Sequence, residues 1–207
     1  MIGYYNYTVW LTYIGMLSSV VGMSFAVGGR VGAAVICLMF SGFCDLFDGM
    51  VARTKKDRTA EEKSYGIQLD SLSDVVCFGV LPVVIGYNLG ATKAWQIAIM
   101  ALFALAGLIR LAYYNVTEET RQQQTTEKRK FYVGVPITTS ALTVPLLFCF
   151  RQLLGAHFAM AYTLLLLVNG ACFVLPVKVR KPNKVGVAIM LALGVIFTAV
   201  ILLLKIR

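Results

Sequence analysis

The sequence predicts an all-α fold, a polytopic transmembrane helix bundle, and three observations carry that expectation. Hydrophobic residues fill 58% of the 207 positions and charged residues only 14%, where an ordinary soluble domain carries about a quarter charged. Mean hydropathy is +0.76. Apolar runs of about 20 residues, the length that crosses a ~30 Å hydrocarbon layer, recur along the whole chain.

Seven such runs are readable: roughly Thr8–Val27, Val31–Val51, Ile67–Gly86, Trp95–Val116, Val133–Phe150, Phe158–Val177 and Val185–Ile206. The first has no basic stretch before it, so the sequence predicts a span there and not a cleaved leader. Internal repeats, low-complexity tracts and proline-rich linkers are absent from the sequence. Residues 1–207 therefore read as one transmembrane domain.

Basic residues set the expected orientation. Arg53, Lys55, Lys56, Arg58 and Lys63 lie between the second and third runs. Arg121, Lys128, Arg129 and Lys130 lie between the fourth and fifth, and Lys178, Arg180, Lys181 and Lys184 between the sixth and seventh. The opposite side holds only Arg30, Lys93, Arg151, Lys205 and Arg207, and Arg110 lies inside a run. The positive-inside rule then puts the three basic connections and the N-terminus in the cytoplasm. The net charge of +9 reads as a topology signal that also attracts anionic membrane lipids, and not as a nucleic-acid footprint.

Cys37, Cys44, Cys77, Cys149 and Cys172 are scattered singly, which gives no support to zinc, iron–sulfur or redox motifs. They read as small apolar packing residues. The lone His157 reads as a surface residue of a short connection.

The acidic residues carry the chemistry. The five Glu and Asp57 fall in polar connections, whereas Asp45, Asp48, Asp70 and Asp74 fall within or at the ends of apolar runs. A charge at the centre of a membrane helix costs ~2.5–3.5 kcal/mol, so four together need compensation. Asp45 and Asp48 are spaced i, i+3, and Asp70 and Asp74 i, i+4, so each pair shares one helical face. Consecutive antiparallel helices bring the pairs to similar depth near the cytoplasmic mouth, each about 8 Å from the connection. Hard divalent cations such as Mg²⁺ or Mn²⁺ suit four carboxylates. Four are enough to bridge two ions ~3.5–4 Å apart, an arrangement suited to phosphoryl displacement. Acids that bind protons or Na⁺ in a transporter are the alternative. Gly49, which admits close approach beside Asp48, Arg53 one turn on, placed for a phosphate, and Gly66 one turn before Asp70 favour a phosphate substrate.

Asp45-Leu-Phe-Asp48-Gly49-Met-Val-Ala52-Arg53, followed by Gly66-Ile-Gln-Leu-Asp70-Ser-Leu-Ser-Asp74, resembles the signature of the CDP-alcohol phosphotransferase family, D-x2-D-G-x2-A-R … G-x3-D-x3-D, at every fixed position. The spacer between Arg53 and Gly66 is longer than the family's usual one. The Pro-Asn that precedes the first span in many members is missing, and Thr12 is the candidate polar contact in its place. The resemblance implies six core transmembrane helices, with the C-terminal run as an additional span, and a homodimer. It implies two divalent cations held by Asp45, Asp48, Asp70 and Asp74, with Asp74 also the general base. It further implies a CDP-lipid site that includes Gly49, Ala52, Arg53, Gly66 and Thr12.

Val75 follows Asp74 where glycerol-phosphate-using relatives typically have lysine. Leu69–Pro82, Ile109–Asn115 and Phe131–Pro136 are similar to segments of the phosphatidylserine synthase branch, although Tyr113 stands where arginine is usual. That resemblance implies transfer of the phosphatidyl group of CDP-diacylglycerol, or of its ether-linked counterpart CDP-archaeol, to L-serine, with release of CMP at the cytoplasmic face of the cell membrane. Inositol phosphate, glycerol phosphate and choline are the alternative alcohols. Arg110, as the one base inside a run, is a candidate for serine's carboxylate or for pairing within the protein. Asn115 is a candidate for substrate or for a neighbouring helix. Lys130 is a candidate by location.

Overall fold

A computed structural model describes residues 3–124, 131–180 and 183–203. A 3₁₀ turn, Tyr7–Val9, leads into α1 (Trp10–Val27), and α2 (Val31–Ala52) follows after a tight turn. The third helical stretch joins α3 (Ala60–Asp74), a π-helical turn (Val75–Val80) and α4 (Leu81–Asn88). Then come α5 (Ala94–Gln124), β1 (Phe131–Val133), α6 (Ser140–Cys149), the single turn α7 (Arg151–Leu154), α8 (Phe158–Val174), β2 (Lys178–Arg180) and α9 (Lys184–Leu203). Among the described residues, six helical stretches are long and apolar enough to cross a bilayer: Tyr7–Val27, Val31–Ala52, Ala60–Asn88, Ala94–Arg121, Arg151–Val174 and Val185–Leu203. The chain is a transmembrane helix bundle.

The fifth apolar run departs from expectation. Its first residue, Val133, ends β1, and the helical part, Ile137–Cys149, is too short to be one of the six. The C-terminal run is a full-length helix and the least buried of them. Gly134 and Pro136 explain the shortened run, since a left-handed glycine and a proline with no N–H interrupt helix propagation there.

Lipid supplies little drive for helices to associate, so close backbone approach and hydrogen bonds hold the bundle. α1 packs along α2 through Gly15, Ser19 and Gly22. A Cβ on Gly22 would lie 2.8 Å from the Cβ of Cys37. Ser41 Oγ donates to the Gly15 carbonyl at 2.7 Å and lies 2.8 Å from Ser19 Oγ. α5 packs along α8, where Gly170 lies on the backbone of Phe103 and Phe103 meets Phe173. Leu17, Leu72, Val116 and Val195 point outward, as expected where lipid is the solvent.

Two pairings bear on sidedness. β1 and β2 run antiparallel with Phe131 opposite Arg180, so the polar connections that flank α6–α8 lie together. Tyr7 Oη sits 3.0 Å from Thr54 Oγ1, and Asn6 Nδ2 donates to Glu62 at 3.1 Å. The N-terminal segment thus lies with the α2–α3 connection.

Gly134 closes the strand pair with φ +77°, and its N–H donates to the Val177 carbonyl at 2.9 Å. A Cβ there would stand 2.5 Å from the Phe173 carbonyl oxygen. Gly134→Ala therefore adds left-handed strain of ~1–3 kcal/mol to a backbone clash. A thermal melt in detergent is expected to fall by several degrees, and an unchanged melt would show that the strand pair yields freely.

Candidate metal and nucleotide site

α2 and α3 build the site from one face each. α3 begins at Ala60, two turns earlier than the apolar run, because Thr59 and Glu62 form a capping box. Thr59 Oγ1 accepts from the Glu62 N–H at 3.2 Å, and a Glu62 carboxylate oxygen accepts from the Thr59 N–H at 3.2 Å. The polar residues 60–65 are therefore helical, and Asp70 lies ten residues along α3, deeper in the helix than its distance from the apolar boundary implies. Past Asp74 the ladder widens. Leu81 N–H donates to the Val76 carbonyl, five residues back. Pro82, one residue on, has no N–H to continue the ordinary pattern, and its carbonyl accepts from Tyr162 Oη at 2.9 Å. The π turn resets the helix immediately after the last aspartate.

Asp45, Asp70 and Asp74 each offer a carboxylate oxygen within 4.8 Å of the others. Asp48 sits beside them and is steadied by Thr12, whose Oγ1 donates to Asp48 Oδ2 at 3.1 Å. A space of about 10 Å³ lies between Thr12, the four aspartates, Ser73 and Cys77. None of the described residues lining it is basic, and Asp74 is 8% exposed. A small space whose charged lining groups are all carboxylates fits a hard divalent cation. Cys44 and Cys77 line it but stay thiols without a disulfide.

A second cavity, of about 580 Å³, opens outward from Asp48 and Asp70. Thr8, Thr12, Gly49, Ala52 and Gly66 form its walls, with Arg53, Lys55, Lys56, Arg58 and Lys63 around them. Acidic floor and basic walls together suit a polyanion that reaches metal at one end. A hydrogen bond from Lys55 Nζ to Glu62, 2.9 Å, holds that ammonium above the ordinary lysine range and ties its charge to the protein. The two signature glycines differ. A Cβ on Gly49 would meet only Arg53 Nη2, at an ordinary 3.8 Å, so the fold tolerates a side chain there and what the glycine preserves is open cavity wall. A Cβ on Gly66 would lie 2.6 Å from Arg58 Nη2.

The structure brings together Asp45, Asp70 and Asp74, sets Asp48 and Thr12 beside them, and places Gly49, Ala52, Arg53 and Gly66 on the larger cavity. Arg110 is 8% exposed on α5, with its guanidinium 5.2 Å over the Tyr114 ring and close enough to Asp45 for their charges to interact. It lines neither space. Asn115 is bonded to a neighbouring helix: its Nδ2 donates to Ser71 Oγ at 2.9 Å, and Ser71 Oγ lies 3.1 Å from its Oδ1. Ser71 adjoins Asp70, so this pair fixes the rotation of α3. Lys130 lies outside the described residues. His157 is exposed. Lys56, Arg58 and Lys63 also line the cavity, although they lie outside the signature positions. Their signal was the cluster of cations in the long spacer, together with the Thr59-x-x-Glu62 box that folds the spacer back onto the site.

The profile of a family described as CDP-alcohol phosphatidyltransferase matches residues 5–175. A CDP-diacylglycerol–serine O-phosphatidyltransferase of Saccharomyces cerevisiae is 38% identical over 54% of this chain and 40% of its own length. One of Helicobacter pylori strain J99 is 34% identical over 65% of this chain and 52% of its own length. An archaetidylserine synthase of Methanothermobacter thermautotrophicus is 28% identical over 77% of this chain and 65% of its own length. The chain thus spans about half the length of the first two.

Proposed function

The chain belongs to the CDP-alcohol phosphatidyltransferase family, and from that premise we propose that it is a CDP-diacylglycerol–serine O-phosphatidyltransferase. It transfers the phosphatidyl group of CDP-diacylglycerol, or the corresponding group of CDP-archaeol, to the hydroxyl of L-serine and releases CMP. The observation that carries the reading is the junction of four clustered carboxylates with a basic cavity of nucleotide-diphosphate size through the shared Asp48 and Asp70. Relatives named for serine transfer support the choice of alcohol.

In this reading Asp45, Asp48, Asp70 and Asp74 would hold two Mg²⁺ or Mn²⁺ ions, whose positive charge would offset that of the diphosphate and polarise the phosphoryl group. Gly49, Ala52, Gly66 and Thr12 shape the cavity, and Arg53 reaches the diphosphate of the CDP portion. The serine oxygen attacks the phosphorus that bears the lipid, an O–P bond forms, and the bond from that phosphorus to the CMP oxygen breaks. Asp74 takes the serine hydroxyl proton as the new bond forms. The cationic walls hold the charge that builds on CMP. Arg110 is the candidate for serine's carboxylate, with Lys130 a further candidate, and Asn115 acts on the site through Ser71. The site faces the cytoplasm of the cell membrane by the distribution of basic residues, and the working unit is a homodimer.

The test is CMP release by purified protein given CDP-diacylglycerol and Mn²⁺ with each alcohol in turn. Serine is expected to give CMP and phosphatidylserine in equal amounts. CMP with glycerol phosphate, inositol phosphate or choline but not with serine would move the assignment within the family. No CMP with any alcohol would leave the transporter reading, in which the acids bind H⁺ or Na⁺.

A further inference from the structure

Arg58 lies in the stretch between Arg53 and Gly66, outside the signature, yet the fold sets it at the centre of the site's architecture. Its Nη2 donates to the Glu62 carbonyl at 3.1 Å and its Nη1 to the Ala52 carbonyl at 3.4 Å. Ala52 is the last residue of α2 and Glu62 lies in the first turn of α3, so one guanidinium bridges the two helices that carry the aspartates. The same group rests on Gly66, where a Cβ would stand 2.6 Å from Nη2. It lines the cavity that ends at Asp48 and Asp70.

Three features separate Arg58 from the other cations there. Lys55 is spent on Glu62, whereas Arg58 forms no ion pair among the described residues, so its charge is available. Arg53, Lys56 and Lys63 are exposed, whereas Arg58 is half-buried and held by two carbonyls. A guanidinium fixed in this way loses little conformational freedom when an anion arrives. Donor inventory completes the case. Of five N–H groups, two serve the carbonyls, and Nε is buried with no partner among the described residues. One N–H on each Nη nitrogen is left for a ligand.

We propose that Arg58 is a diphosphate-binding residue of this cavity and that Gly66 is the socket that seats its guanidinium. The inference rests on the CDP-lipid reading above. It assigns Gly66 a different task from Gly49: one admits an arginine, the other keeps the cavity wall open.

Calorimetric titration of CDP in the presence of Mn²⁺ tests it, with purified wild type, R58A, R58K, G66A and R58A/G66A. Loss of charge-assisted hydrogen bonds predicts CDP binding weakened by about tenfold to a hundredfold in R58A, with R58K in between. G66A weakens binding in the wild-type background but changes it by less than about twofold once Arg58 is gone, the non-additivity of residues in contact. In turnover, R58A raises KM for CDP-diacylglycerol while leaving the KM for serine near wild type, a split that general loosening of the fold does not give. Should R58A fail to fold, R58K and G66A carry the same comparison. CDP bound by R58A as tightly as by wild type, or G66A equally damaging in both backgrounds, overturns the inference and leaves the CDP-lipid reading standing. Wild type that binds no CDP overturns both.

Discussion

Asp74→Asn is expected to lower CMP release by about 10²–10⁴-fold, the range a positioned general base contributes, while the protein keeps its fold. The amide is nearly isosteric with the carboxylate it replaces, so the 8%-exposed position stays filled. Asp45 and Asp70 each bring a carboxylate oxygen within 4.8 Å of one from Asp74. Removing one of several converging negative charges lessens their repulsion in protein stripped of cations, so the detergent melt of the metal-free variant holds or rises. An amide nitrogen cannot accept the serine proton, and an amide oxygen is a far weaker acceptor and metal ligand than a carboxylate. The pattern to look for is lost turnover with an intact melt. Turnover at the wild-type rate would remove Asp74 as the base.

Stripping divalent cations is expected to reduce CMP release to background, with full recovery on adding Mg²⁺ or Mn²⁺. The carboxylates on α2 and α3 converge on a space of about 10 Å³ that no described basic residue lines, so without cations the site repels a diphosphate. Loss of the ions therefore weakens CDP binding as well as chemistry. The melt should fall too, because a ligand that binds only the folded state stabilises it by mass action. Release that persists through exhaustive chelation would contradict a metal-dependent site.

Much of this site was legible in the sequence because it is written in helical spacing. Two pairs at i, i+3 and i, i+4, each followed or preceded by a glycine, fixed which faces meet before any packing was known. Thr12 was readable as a candidate polar contact of the CDP-lipid site, and the structure adds its bond to Asp48. Other features were hidden for physical reasons. Ala60–Tyr65 looks like a loop by hydropathy, and only the capping box shows that it is helix. The π turn after Asp74 depends on Pro82 and on Tyr162 of α8, eighty residues away, which no local window sees. Val133–Phe150 is apolar enough to span, but β1 ends at Val133, and Gly134 and Pro136 bend the chain before helix begins. The contact of Arg58 with Gly66 is tertiary, so glycine spacing alone suggested room for substrate where the protein places its own side chain. Asn115 was ambiguous between substrate and neighbour until Ser71 was seen opposite it.

The most direct test of the aspartate centre is a Mn²⁺ titration of purified protein followed by electron paramagnetic resonance, with and without CDP. About two Mn²⁺ per chain are expected, tightened by CDP, with spin coupling between the ions and loss of both in Asp70→Asn. Mn²⁺ binding that is absent in the wild type, or that persists unchanged in Asp70→Asn, would contradict that expectation.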